Sequence, residues 1–162
     1  MKHPKGRVKK TGKRFHPVKH RKSAKRANSP DARKPRIGLR ASIERVIPRE
    51  WTIAAYDPRL PAVLSTPAMI GMMEIAAAES VLPELPPGAI TVGTRIEVDH
   101  LKAVPEGATV RATARLVKHQ GRFLVFDVEA RSNEYLLGRG RVFRAIVEPQ
   151  KFAERADSRK QS

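Results

Sequence analysis

Thr66-Pro-Ala-Met-Ile-Gly-Met-Met-Glu-Ile-Ala-Ala-Ala-Glu-Ser80 is written to begin a helix and then to bury it. Ser65 or Thr66 supplies an N-cap oxygen for an orphan backbone N–H. Pro67 falls at the first helical position, where its missing N–H costs nothing. The run continues to about Leu82, and Pro83 marks the exit. At 1.5 Å per residue this is a rod of about 25 Å. Met69, Ile70, Met72, Met73, Ile75 and the alanines from Ala76 to Ala78 point in every direction, so no clean polar face remains and the helix is expected inside the fold. It is too short and alanine-rich, and carries Glu74 and Glu79, so it is not a membrane span. The economical architecture is a central helix enclosed by a sheet. Gly71, which costs about 1 kcal/mol against alanine in a helix interior, predicts close approach by another backbone or a ligand.

Glu74 is the only charge between Thr66 and Ala78. An unpaired carboxylate in apolar surroundings is costly, so it finds a partner or holds its proton more tightly. Two readings stand side by side. Glu74 lies on a narrow exposed stripe or makes a structural ion pair, or it is a catalytic carboxylate.

The rest of the chain supplies a sheet. Gly38 to Ile47 alternates weakly and reads as a first strand, ended by Pro48. Glu50 to Pro61 is an irregular connection holding Trp51 and Tyr56, which form a lid, line a pocket or close the edge of the core. After the helix, Pro83 to Gly88 is a loop. Four strands follow: Ala89 to Leu101, Ala108 to Lys118, Arg122 to Arg131 and Tyr135 to Val147. The second of these places Val110, Ala112, Ala114 and Leu116 on one face and Arg111, Thr113 and Arg115 on the other. Connections this short imply antiparallel pairing. From Pro149 the chain is polar and is expected to fray. The fold class is therefore α+β: a hotdog fold, an antiparallel sheet wrapped around one long central helix, or a sandwich with the helix flat on one face. An open sheet edge predicts a homodimer.

Charge separates a tail from this domain. Residues 1–40 carry 16 of the 33 Lys and Arg, with Asp31 as their one acid; residues 41–162 carry 17 basic residues and 15 acids. Lys9-Lys10, Lys13-Arg14, Arg21-Lys22 and Lys25-Arg26 leave almost nothing to bury between them, so residues 1–36 are expected to be disordered. The segment is a solubility tail, a weak nucleic-acid tether through phosphate neutralisation, or the product of a start placed too early. The domain is expected over residues 37–152 and a polar C-terminal tail over 153–162. With no cysteine, thiolate nucleophiles, disulfide scaffolds and zinc ribbons are excluded. No signal peptide or membrane contact is expected, and the default location is the cytoplasm.

Two further residues stand out. Gly93 sits inside a strand, where glycine marks a bulge or a ligand's close approach. His100 closes the same strand; Asp99 alternates to the opposite face and is badly placed to orient its ring. No second histidine lies at metal-ligand spacing, so no metal is expected.

Val63-Leu-Ser-Thr-Pro-Ala-Met-Ile-Gly-Met-Met-Glu-Ile-Ala-Ala77, with Thr91-Val-Gly-Thr94, Val98-Asp-His100 and Val104-Pro-Glu-Gly107, resembles the fluoroacetyl-CoA thioesterase group of hotdog proteins over residues 37 to 152. The resemblance implies a homodimer that hydrolyses an acyl thioester of coenzyme A with no further cofactor. It places the catalytic threonine, glutamate and histidine on Thr66, Glu74 and His100. It places the strand glycine, whose N–H lies near the thioester carbonyl, on Gly93. In the last strand the family tends to read Gly-x-His-x-Arg; this chain reads Gly140-Arg-Val-Phe-Arg144, with Val142 at the histidine place. An aromatic lid tied to fluoroacetate has no clear counterpart before Thr66, so the expected substrate is a small or medium acyl-CoA. A non-catalytic hotdog module that binds a thioester or only dimerises is the alternative.

Overall fold

The protein, here a computed structural model, is described over residues 34–158. The expected disordered segment before residue 34 lies outside them. Five strands and two helices follow in order: β1 (Arg40–Val46), α1 (Thr66–Val81), β2 (Ile90–His100), β3 (Thr109–Gln120), β4 (Phe123–Ser132), β5 (Tyr135–Val147) and α2 (Pro149–Ser158). The strands form one antiparallel sheet in the order β1-β3-β4-β5-β2. Short turns make hairpins of β3–β4 and β4–β5, whereas β2 pairs with β5 at one edge of the sheet and β1 with β3 at the other.

The sheet packs on α1 through its alternating inward residues. Val110, Ala112, Ala114 and Leu116 of β3 are buried, while Arg111 and Arg115 between them are exposed, as the pattern predicts. Opposite them lie Met69, Met72, Met73, Ala76, Ala77 and Val81 of α1. Small residues at 112, 114 and 130 let the helix lie close, and the methionines fill what remains. Each large apolar side chain so removed from water contributes about 2 kcal/mol.

The helix is not enclosed, however. α1 leans on β3 and β1 and barely touches β5. Ile75 is 45% exposed and Leu82 43%. A Cβ on Gly71 would meet nothing within 4 Å, so the close approach expected there is absent within one chain. The reason is extent: five strands curve over one side of a helix that is apolar on both.

Two termini also differ from expectation. Pro35 and Arg36, assigned to the tail, are tied to the domain: the Pro35 carbonyl lies 3.0 Å from His119 Nδ1, and Arg36 donates from N and Nε to Glu84 at 2.9 Å. Beyond β5 the polar stretch does not fray at once but winds into α2, with Pro149 in its first position.

Candidate active site

The start of α1 sorts out two hydroxyls. Ser65 is the N-cap, its Oγ accepting the Ala68 N–H at 3.4 Å. Thr66 is therefore the first helical residue, and its side chain is released from capping. Its Oγ1 lies 2.8 Å from Nδ1 of His100. The ring is thus oriented by the helix start and not by Asp99, which is exposed. The other ring nitrogen, Nε2, is buried with no hydrogen-bond partner among the described residues.

His100 reaches α1 because β2 curls over β5. Gly138 and Gly140 face it on β5, with Gly138 paired to His100 and Gly140 to Val98. A Cβ on Gly138 would stand 2.7 Å from the Asp99 carbonyl oxygen, and one on Gly140 would overlap the Glu97 carbonyl oxygen. Only glycine admits so close a crossing.

A bulge then aligns the two ends of β2. Gly93 and His100 are seven residues apart and would face opposite sides of a regular strand. The register with β5 shifts between Gly93 and Arg95, which restores both to the helix side. Gly93 thereby meets Glu74: a Cβ there would collide with Glu74 Oε1.

Glu74 is not the unpaired carboxylate in an apolar interior that the sequence suggests. Its side chain is one-third exposed, and Arg144 Nη1 donates to its Oε1 at 2.8 Å. Arg144 is almost buried and is itself clamped, giving Nε to Thr91 Oγ1 at 2.9 Å and Nη2 to the Thr91 carbonyl at 2.8 Å. Burial pushes the Arg144 guanidinium below its ordinary value, and the Glu74 charge pulls it back up. Arg144 lies opposite Gly93 in the β2–β5 register, so the missing side chain at 93 makes room for both charged groups.

The structure therefore brings the four predicted residues together as two pairs, Thr66 with His100 and Glu74 with Gly93. Eight residues of helix separate Thr66 from Glu74, about 12 Å at 1.5 Å per residue. Three cavities of the single chain, of about 580, 530 and 470 Å³, are lined by other residues. Both pairs lie along the open side of α1 and β2.

Sequence reasoning noted Arg144 as part of a strand pattern but missed it, and Thr91, as site residues. The signal was present. Val142 and Arg144 share the inward phase of β5, and an inward arginine needs an acid, of which the facing helix offers Glu74.

Known proteins resemble this chain in sequence and in fold. A family described as fluoroacetyl-CoA-specific thioesterase matches residues 47–150. The fluoroacetyl-CoA thioesterase of Streptantibioticus cattleyicolor is 35% identical over 123 residues, 72% of this chain and 88% of that protein. A solved threonine-to-serine mutant of the enzyme FlK with acetyl-CoA superposes with a TM-score of 0.72 at 32% identity, covering 76% of this chain and 98% of that one. A Thermus thermophilus protein described as a thioesterase superfamily member superposes at 0.73 with 29% identity, covering 80% and 96%. With the hotdog sheet and helix in place and the match running from the end of β1 into α2, this chain belongs to the fluoroacetyl-CoA-specific thioesterase family of hotdog-fold thioester hydrolases.

Proposed function

We propose that this protein is a homodimeric acyl-CoA thioesterase that cleaves a small or medium acyl-CoA to the acid and coenzyme A, using Glu74, His100, Thr66 and the Gly93 N–H. The observation that carries the reading is the 2.8 Å contact of Thr66 with His100, made by a hydroxyl that capping does not need. The thioester carbonyl is already electrophilic, and its thiol leaving group has a pKa near 8.5, as for cysteine. A carboxylate is therefore sufficient, either attacking the carbonyl carbon to give a mixed anhydride that water opens, or accepting a proton from an attacking water. In either route the C–S bond breaks and the thiolate takes a proton, which His100 is placed to supply. The Gly93 N–H and the positive end of α1 are the donors available to the developing oxyanion.

A dimer supports this chemistry. β2 is the sheet edge beside the open stripe of α1, and Ile75, Ile96 and Leu82 are exposed there. Two copies joined along β2 cover that stripe and set the Thr66–His100 pair of one copy towards the Glu74 group of the other. Sedimentation at twice the chain mass of 18.1 kDa is expected, and a monomer that still turns over would refute the shared site.

The hold of Arg144 on Glu74 favours a second reading, a shell that binds an acyl thioester and leaves it intact. A panel of acyl-CoAs from acetyl upward, scored by thiol release, separates the two. Release with at least one short or medium chain is expected; binding without release of any would leave the second reading.

The basic segment 1–36 is proposed to make weak nucleic-acid contact independently of catalysis. Deleting residues 1–33 is expected to abolish salt-sensitive RNA binding and to leave thiol release unchanged. Retained RNA binding by the shortened protein would contradict that.

A further inference from the structure

Directly after His100 the chain enters a loop, residues 101–108, that is pinned beside the β4–β5 turn. The N–H groups of Leu101 and Lys102 both donate to the Leu137 carbonyl, at 2.7 and 3.2 Å. Between loop and turn lies a cavity of about 470 Å³, with an apolar floor of Val104 and Leu137 and a polar rim that includes Lys102, Ser132, Asn133 and Tyr135. Asn133 holds a left-handed backbone, φ 48°, which turns the chain tightly enough to present Tyr135 to the loop. The Lys102 ammonium lies over the Tyr135 ring, 5.2 Å from its centre.

Nothing in the reaction as described above uses this cavity. Lys102 is exposed and makes no ion pair among the described residues. Of the acids on the flanking segments, Glu106 is engaged by Arg49 and Glu129 by Arg131, while Asp99 and Glu134 are exposed and neither is ion-paired to Lys102. A cation is therefore held at the rim of a half-apolar hollow without an acid to neutralise it. Its Cα is two residues from that of His100, at most about 7 Å along an extended chain.

Resting on the thioesterase reading above, we propose that this cavity takes the nucleotide end of coenzyme A, with the Lys102 ammonium on a phosphate and the Tyr135 ring beside the adenine. The chemistry matches piece by piece. Coenzyme A carries its anionic phosphates and its flat base at one end of a flexible pantetheine arm and the thioester at the other. A compact ammonium binds phosphate as a point charge. An exposed aromatic ring offers a face for a base to stack on. The apolar floor suits the adenine and not a free inorganic anion.

Calorimetric titration of the full chain with free coenzyme A and, separately, with pantetheine tests this without requiring turnover. Lys102→Ala is expected to weaken coenzyme A about fivefold to tenfold and to leave pantetheine unchanged. Tyr135→Ala is expected to act in the same direction. The coenzyme A affinity of the unaltered protein is expected to fall with added salt, and Lys102→Ala to flatten that dependence. In kinetics the loss appears in KM for acyl-CoA, with kcat and the KM for the matching acyl-pantetheine unchanged. Wild-type coenzyme A affinity in Lys102→Ala, equal losses for both ligands, or no binding of coenzyme A by the unaltered protein would each overturn the assignment. Should the thioesterase reading alone fail, no thioester would be cleaved while the Lys102 dependence of coenzyme A binding persisted.

Discussion

Glu74→Gln is expected to lower kcat for acyl-CoA hydrolysis by about 10²- to 10⁴-fold, the range for removing a positioned acid or base. The substitution keeps the shape of the side chain. Its amide oxygen can still accept from Arg144 Nη1, and Arg144 keeps both bonds to Thr91. Because the Glu74 side chain is one-third exposed, loss of the ion pair is expected to cost about 1 kcal/mol or less in stability. Rate and fold are thereby separated. Thiol release measured beside a thermal melt should show a collapsed rate on a protein whose Tm has moved by only a few degrees. An unchanged rate would mean that Glu74 serves Arg144 alone and that the carboxylate has no part in the chemistry.

The second large effect belongs to a residue with no side chain. Gly140→Ala would push a methyl into the Glu97 carbonyl oxygen and against Val98 Cα, at 2.7 Å, both backbone atoms of β2. A flexible side chain could swing away; a paired strand cannot. Either β2 lifts from β5 or the sheet flattens, at a cost of about 2 to 3 kcal/mol, as for overpacking a tight core. In both cases His100 retreats from Thr66, so activity is expected to fall further than stability. Urea unfolding with a thiol-release assay on the fraction still folded would show both. A stable, fully active Gly140→Ala protein would mean that the curl of β2 does not place His100.

Much of this was visible in the residues. The cap, the proline and the unbroken apolar run announce α1, and the alternation of Val110 to Leu116 announces a half-buried strand. Glu74, Gly93 and His100 were each singled out by a local anomaly: a lone charge, a glycine in a strand, a histidine at its end; Thr66 came from the family resemblance, since capping accounted for it equally well. Gly93 as the site of a bulge was legible because glycine weakens a regular ladder there. Its consequence was not, since a one-residue shift of phase shows only against a paired strand.

What the chain alone determined was its elements, for these follow from caps, turns and periodicities that act over a few residues. Folding decided the partnerships. Thr66 meets His100 across 34 positions, Arg144 meets Thr91 across 53 and Glu74 across 70. Contacts at such separations depend on strand order, register and the side of the helix that the sheet covers. These are properties of the whole packed domain, and so a carboxylate that looked solitary in the sequence turned out to be held by an arginine from the last strand.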